Sequence, residues 1–207
     1  MTSYSVTANK DQIADAVSFF EFVGGQTTDA VRIAINRAAP KVRTKASQAI
    51  RQQVRLKAAY VNEKLSITKA TRQKLSGAIQ AESRGILMSK YSTNTQVASD
   101  KIGWILPPPN PPGGIKVKIK PTGTTQAVTG KPGEITGKPF YMILPNSRAL
   151  AIVGRKPGGG IKVFSSPSVS QVFNTVRDDV LPQASDIYQD ELLDAMRYIL
   201  AKQYPKE

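Results

Sequence analysis

The chain has 207 residues, of which 40% are hydrophobic and 21% charged, and this length suffices for one folded core. Histidine and cysteine are both absent, which excludes histidine acid–base chemistry, cysteine nucleophiles, thiolate metal sites and disulfides. Lysine and arginine total 29 against 15 aspartates and glutamates, a formal charge of +14 that favours an anionic partner.

The charge is unevenly distributed along the chain. Residues 168–207 hold seven acids and four bases, a net of −3, and the remaining residues carry +17. This polarity suits a basic body that meets nucleic acid, an anionic surface or the acidic end of a neighbouring copy. No secretory signal pattern and no run of 18 apolar residues are visible, so we expect a cytoplasmic protein without a membrane-spanning helix.

Helices are predicted in the N-terminal third. Residues 11–25 have amphipathic spacing and end at a glycine pair, and residues 27–59 carry an apolar stripe at helical spacing. Pro40 is expected to kink the second helix or divide it in two. A further helix is predicted over 61–75, followed by short strand-like stretches over 76–92.

The second predicted helix is strongly basic, with eight lysines and arginines and no acid between positions 30 and 62. Like charges recur there at i,i+4 spacing, which slightly destabilises an isolated helix. The residues concerned are Arg37, Lys41, Arg51 and Arg55. A helix face that meets something negative and a solvated face both explain this pattern.

A proline-rich segment covers 103–114 and must be an extended arm or loop, because proline sustains neither a helix nor an inner strand. Trp104 stands at its start and serves either as a local core residue or as an anchor in a neighbouring subunit. The sequence "IKVKIK" at 115–120 then predicts a strand with alternating isoleucine/valine and lysine faces. The lysine face either attracts an anion or protects an exposed sheet edge.

The rest of the chain predicts a polar, mobile loop over 121–138, a hairpin formed by 139–144 and 149–155, and a strand over 161–166. Helices follow over 167–182, capped by Ser166, and over 183–203. We therefore expect one α+β domain over 1–207. It comprises N-terminal helices, an antiparallel sheet of four or five strands, and C-terminal amphipathic helices.

The glycine-rich stretch "GRKPGGGIKV" at 154–163 does not fit a phosphate-binding loop. Gly160 and Ile161 stand where a Walker-type loop needs lysine and serine or threonine, and no helix begins there, so a hairpin turn is predicted. The carboxylate clusters near the C-terminus are typical of a solvated helix face. We expect no catalytic residues, no metal site, no cofactor and no enzymatic activity.

Two blocks of the sequence resemble the phage minor tail protein Z family. They are "INRAAPKVRTKASQAIRQQVRLKAAYVNEKLSI" at 35–67 and "GIKVFSSPSVSQVFNTVRDDVLP" at 160–182, with Ser166 in place of a glycine in the second motif. The resemblance implies a structural protein of a tailed phage or prophage, located in the virion neck or tail. There it would act as a tail-completion component between the head connector and the tail tube.

The resemblance further implies a homo-oligomeric ring, six- or twelve-fold, around the channel that double-stranded DNA crosses. Its partners would be other copies of itself, neighbouring neck, tail-terminator or tail-tube proteins, and DNA bound without sequence specificity, with no membrane. Candidates for the DNA channel are Lys116, Lys118, Lys120, Arg37, Lys41, Arg51 and Arg55. Candidates for the subunit interface are Trp104, Pro107, Pro108, Pro109, Asp190, Glu191 and Asp194.

Two alternatives remain at this point. The first is a basic nucleic-acid-binding protein that acts alone in the cytoplasm, for which steeply salt-dependent DNA affinity of the monomer would be diagnostic. The second is a metal-dependent hydrolase that uses Asp190 and Asp194, for which loss of turnover on changing both residues would be diagnostic.

Overall fold

A computed structural model describes residues 3–6, 27–93, 98–99 and 105–203 of the chain. The helix predicted over 11–25 and the side chain of Trp104 lie outside these residues. The described chain divides into two compact units, and the first comprises residues up to Ile50, Ala58–Ser83 and the segment from Val169 onward. The second comprises Arg51–Lys57 and Arg84–Ser168. We call them unit 1 and unit 2.

Unit 1 is built around two long helices. Helix α1 spans Thr27–Gln53, and its last three residues belong to unit 2. The predicted apolar stripe is confirmed for most of its length, because Val31, Ile35 and Val42 are all buried. Pro40 lies inside the helix without dividing it. This is possible because proline removes a single hydrogen-bond donor, and the ring itself lies on the exposed side.

The C-terminal helix is also continuous. Helix α3 spans Val169–Gln203 with Pro182 inside it, where two helices separated by that proline were predicted. Its buried face packs on α1 in one apolar cluster. The members of this cluster are Val31, Ala34, Ile35, Ala38, Ala70, Tyr188, Leu192 and Ala195. Burial along the whole face holds the helix together across a proline that an isolated peptide would not tolerate.

A three-stranded sheet completes unit 1. Its strands are β1 (Ser3–Val6), β2 (Leu65–Thr68) and β3 (Gly77–Ala81), in the antiparallel order β1-β3-β2. The short helix α2, Ala58–Glu63, precedes β2. The prediction of a helix over 61–75 is therefore wrong, because buried Leu65 and β-branched Ile67 alternate with polar residues and pair with β3.

Unit 2 contains the remaining strands, all short except for one hairpin. The first are β4 (Ile86–Leu87), β5 (Ala98–Ser99), β6 (Ile105–Leu106), β7 (Lys116–Val117) and β8 (Gln126–Ala127). They are followed by β9 (Thr136–Ile143), β10 (Leu150–Arg155), β11 (Ile161–Val163) and β12 (Ser165–Ser166). A 3-10 turn, Met88–Tyr91, follows β4.

The strands of unit 2 pair in four small antiparallel sheets. The largest has the order β11-β10-β9, and the others are the pairs β12-β4, β5-β6 and β7-β8. The hairpin predicted from 139–144 and 149–155 is confirmed, because β9 pairs with β10. Ser166 lies in β12 opposite Ile86, so it does not cap a helix as predicted.

The α+β class is confirmed, with a long N-terminal helix, several antiparallel sheets and a long C-terminal helix packed on the first. The strands are divided among sheets of two or three, where one sheet of four or five was expected. The organisation of 1–207 as a single domain stays a prediction. None of the helices in the described ranges is long and apolar enough to cross a membrane.

Candidate functional site

The positive charge of the chain is concentrated in unit 2. The ranges assigned to unit 2 contain 15 lysines and arginines and two acidic residues, a net charge of +13. Unit 1 contains 14 basic and 13 acidic residues, a net charge of +1. In the sequence the charge differs between an acidic C-terminal segment and a basic remainder. In the structure it differs between unit 1, which is nearly neutral, and unit 2, which is strongly basic.

The lysine-bearing strand of unit 2 keeps its predicted alternation, although regular pairing in β7 is limited to two residues. Ile115 and Val117 are 2% and 3% exposed and lie in the core. Lys116 and Lys120 are exposed, and Lys118 is half-buried. Burial of the apolar residues thus fixes which face of this segment presents the three ammonium groups.

This segment is an inner strand. On one side the Val128 N–H donates to the Ile115 carbonyl (2.8 Å), and β8 pairs with β7. On the other side the Lys118 N–H donates to the Tyr91 carbonyl (2.9 Å), and Ser92 bridges to Val117. Because both flanks are occupied, protection of an exposed edge does not explain these lysines.

The structure brings Arg55 to the same strand. The Arg55 N–H donates to the Ile119 carbonyl at 2.7 Å, which places residue 55 beside the segment that carries Lys118 and Lys120. The two groups of candidates are far apart in the sequence, and no local pattern predicts their meeting. We call Arg55, Lys116, Lys118 and Lys120 the basic strand cluster.

Acidic groups are scarce near the basic strand cluster. In the part of unit 2 that the structure describes, Glu134 is the only carboxylate, and it forms an ion pair with Lys162 on β11. No ion pair of the described residues involves a member of the basic strand cluster. These cations can therefore attract an external polyanion with little competition from the other described residues of unit 2.

The other basic candidates have partners or lie elsewhere. The Arg37 guanidinium lies over the Tyr198 ring, 5.5 Å from its centroid. Lys41 forms an ion pair with Glu191, and the hydrogen bond between them raises the pKa of Lys41 above its usual value. Arg51 is half-buried in the last turn of α1. Arg37 and Lys41 are thus engaged within unit 1.

The candidates for the subunit interface differ in exposure. Pro107 and Pro109 are exposed, whereas Pro108 is buried. Asn110 follows them, and its Oδ1 accepts the Tyr141 N–H at 3.1 Å, which ties this loop to β9 of its own unit. The proline segment from residue 107 onward is therefore held locally and is not a free arm along its whole length.

The acidic candidates on α3 also separate into two groups. Glu191 is 5% exposed and faces Lys41. Asp190 is exposed, and Asp194 pairs with Arg197 at 3.5 Å. No group of three carboxylates in the described residues is arranged to hold a metal ion. The buried Glu191 is thus paired within the chain, whereas its neighbours Asp190 and Asp194 are exposed to solvent.

One acidic surface was missed by the sequence interpretation. Asp179, Asp186 and Asp190 are exposed at i, i+7 and i+11 on α3, so they share one helix face with Leu193, which is 54% exposed. No ion pair of the described residues involves these three aspartates. We call this face the acidic stripe. The spacing of these aspartates along the helix can be read from the sequence, so the sequence alone could have revealed this surface.

The glycine-rich segment is a hairpin turn, as predicted. Arg155 pairs with Ile161, and the Lys156 N–H donates to the Gly160 carbonyl at 3.1 Å. Gly159 and Gly160 have φ values of 89° and 83°, which residues with a side chain rarely adopt. The glycines are thus required by the turn itself.

The basic strand cluster offers non-covalent contacts to an anion. Ammonium and guanidinium groups in a row hold phosphates by charge and contribute no sequence specificity.

A comparison of the chain with protein-family models, with curated proteins and with solved structures finds no match.

Proposed function

We propose that this chain is a structural protein of a tailed phage or prophage, a ring-forming neck or tail-completion component that surrounds the DNA channel. The observation that carries the proposal is the concentration of charge in unit 2, with 15 basic and two acidic residues. A broad positive surface attracts the phosphates of DNA, and it does so without a catalytic group. The two sequence blocks that resemble the minor tail protein Z family point to the same class.

The basic strand cluster is the proposed DNA contact. Along a strand, Lys116, Lys118 and Lys120 repeat about every 6.6 Å, roughly twice the axial spacing of about 3.4 Å between phosphates of one DNA strand. The occupied flanks of this segment support a role for the lysines on the surface rather than at an edge. Loose contacts to phosphates would let DNA pass without sequence preference.

The acidic stripe on α3 is the proposed contact for a neighbouring copy. A heterologous interface joins one surface of a subunit to a different surface of the next, and rings close in this way. A basic unit and an exposed acidic helix face in the same chain supply two complementary surfaces. Neighbouring neck, tail-terminator or tail-tube proteins would stack above and below the ring.

Electron microscopy and DNA binding of the purified full chain test this proposal. We expect rings of six- or twelve-fold symmetry, and we expect them to bind random-sequence double-stranded DNA with a steep salt dependence. The variant Lys116→Gln/Lys118→Gln/Lys120→Gln should keep the rings and reduce the slope of log K against log salt by roughly 0.9 for each phosphate that the protein no longer neutralises.

A matched control removes the same charge from unit 1. Lys45, Lys69 and Lys74 are exposed, and their change to glutamine should leave the DNA salt slope unaltered. Equal reductions of the slope in both triple variants would show that only net charge matters. Rings that bind no DNA at low salt would contradict the channel assignment.

The second candidate is a basic nucleic-acid-binding protein that acts alone. The charge of unit 2 favours it as well, because +13 on one unit attracts nucleic acid whether or not the chain assembles. Tight DNA binding by a species that stays monomeric in sedimentation at every concentration would favour this candidate over the ring.

A further inference from the structure

Strand β11 lies at the edge of the sheet β11-β10-β9, and no strand of the described residues pairs with its outer side. Its register with β10 places Lys162 opposite Gly154 and Val163 opposite Val153. The Lys156 N–H donates to the Gly160 carbonyl, and the Phe164 N–H donates to the Ile152 carbonyl at 2.9 Å. Because hydrogen-bonded and non-hydrogen-bonded pairs alternate, the main-chain N–H and C=O of Ile161 and Val163 point away from β10.

The side chains at this edge are apolar and exposed. Ile161 is 42% exposed and Val163 is 37% exposed, and residues two apart on a strand share a face. An open groove of about 680 Å³ lies beside them. It is lined by β11, by the turn between β10 and β11, and by Gly133 and Glu134. The edge therefore offers main-chain hydrogen bonds and apolar contacts together.

Some main-chain groups near β11 are occupied by other segments. On the far edge of the same sheet, the Tyr141 N–H on β9 is taken by the Asn110 side chain. At the end of β11, the Met88 N–H donates to the Phe164 carbonyl at 3.1 Å, and β4 then pairs with β12.

Charge selects the occupant of this edge. Lys162 lies on β11, and Arg155 and Lys156 lie on the facing strand and the turn, in a unit whose net charge is +13. Two copies of this edge would bring like charges together, which opposes pairing of β11 with itself. An extended segment with aspartate or glutamate between apolar residues would place its carboxylates beside these cations.

We propose that β11 binds an extended acidic segment of a partner protein as an additional antiparallel strand. Main-chain hydrogen bonds to Ile161 and Val163 supply affinity, and the cations supply selection. Glu134, now paired with Lys162, would be displaced or would share that lysine. This surface goes beyond the proposed function and does not depend on the ring or on DNA.

The test uses the full chain and a fluorescein-labelled peptide of alternating valine and glutamate, with binding followed by fluorescence anisotropy. We expect binding to the wild type that weakens with salt. A second peptide of identical charge is N-methylated at every backbone amide, so neither of its edges can donate to the ladder, and it should bind about tenfold more weakly or worse. A valine–lysine peptide should not bind.

Two variants locate the site. Val163→Pro removes an N–H that β10 does not use, and it should abolish binding of the plain peptide. Val163→Glu keeps a side chain at the exposed position and repels the acidic peptide, so it should also abolish binding. It provides the test if the proline variant does not fold. Equal binding of the plain and N-methylated peptides, binding unchanged in Val163→Glu, or no binding to the wild type at millimolar peptide would each overturn the proposal.

Discussion

Lys41 on α1 and Glu191 on α3 form an ion pair within one chain, and Glu191 is 5% exposed. One of these residues was expected at a DNA surface and the other at a subunit interface. Lys41 itself is largely exposed, with 63% of its side chain accessible. The pair thus joins the two long helices of unit 1 at the border of their apolar contact.

Removal of Lys41 should destabilise unit 1. The variant Lys41→Met leaves the buried Glu191 carboxylate without its cation, so the midpoint of urea unfolding should fall. The double variant Lys41→Met/Glu191→Leu removes both charges and should regain most of that stability. Lys45→Met, one turn further along α1 and exposed, is the matched control. A double-mutant cycle with no coupling between the two positions would contradict this account.

Asn36 should contribute strongly to the attachment of α1 to the loop after β2. Its Nδ2 donates to the Ala70 carbonyl at 3.0 Å, and its Oδ1 accepts the Ala70 N–H at 2.8 Å. Ala70 is 5% exposed, so Asn36→Ala leaves two main-chain groups with poor access to water. We expect a decrease of about 1–3 kcal/mol in the free energy of unfolding. Asn62→Ala, at an exposed position, should cost less than about 0.5 kcal/mol.

Stability should depend on the ionisation of Asp29 at low pH. Hydrogen bonds from Arg72, and then from Arg32, hold the pKa of Asp29 below its ordinary value of 3.8, and burial partly opposes them. A lowered folded-state pKa means that this contribution is present above about pH 3.8 and is lost as the pH falls through the folded value.

The comparison of wild type with Asp29→Asn checks this dependence. The wild type should be more stable by up to about 1 kcal/mol at pH 6, and the difference should shrink as the pH falls below about 3.8. Asp178→Asn, whose pair with Arg177 is largely exposed, serves as the control. A constant difference between wild type and Asp29→Asn from pH 6 to pH 2 would contradict the assignment.

The sequence predicted the elements whose apolar residues repeat over several turns or alternate clearly. The stripe of α1 and the hairpin of β9 and β10 are such cases. It failed at Leu65 and Ile67, where a short apolar stretch fits helix and strand equally and pairing with β3 decides. It also failed at Pro182, because the local cost of a proline is outweighed by burial along α3 that no local pattern contains.

The candidate site was predictable only in part. The alternation of lysines at 116–120 follows from the local sequence, and the structure keeps it. The meeting of Arg55 with Ile119 and the pairing of Lys41 with Glu191 depend on contacts between distant segments. Residue type and spacing therefore identified charged positions, but not which of them neutralise each other.

Tyr188 should be a residue whose polar group can be removed without destabilising the fold. It is 4% exposed, burial raises its pKa, and its hydroxyl has no hydrogen-bond partner among the described residues. It lines an apolar cavity of about 20 Å³ together with Ile35 and Gly77. Tyr188→Phe should leave the free energy of unfolding unchanged or raise it by about 1 kcal/mol. Tyr198→Phe, at a position 52% exposed, is the control.

A decrease of more than about 1 kcal/mol in Tyr188→Phe would contradict this prediction and show that the hydroxyl has a hydrogen-bond partner in the folded protein. Calorimetric unfolding of both variants measures the difference.

The cavity is bounded by backbone at Gly77, where an added Cβ would lie 2.7 Å from Ile35 Cγ2. Gly77→Ala should therefore destabilise the protein by about 1–3 kcal/mol through overpacking.

The acidic stripe should control assembly of the proposed ring. Successive carboxylates along α3 lie about 10 Å and 6 Å apart, since each helical residue rises 1.5 Å. Asp179→Asn/Asp186→Asn/Asp190→Asn removes three exposed charges that form no ion pair in the described chain, so the fold should keep its thermal midpoint. The same variant should fail to form rings, or form them only at higher protein concentration, because the attraction to a basic neighbouring unit is removed.

Native mass spectrometry over a range of protein concentrations measures this effect. The control variant Glu63→Gln/Glu82→Gln/Asp178→Asn changes the same charge off the stripe and should assemble like the wild type. Added salt should weaken assembly of the wild type and should have less effect on the stripe variant, because screening acts on the charges that the variant lacks. Rings of unchanged stability in the stripe variant would assign the interface to other residues of the chain.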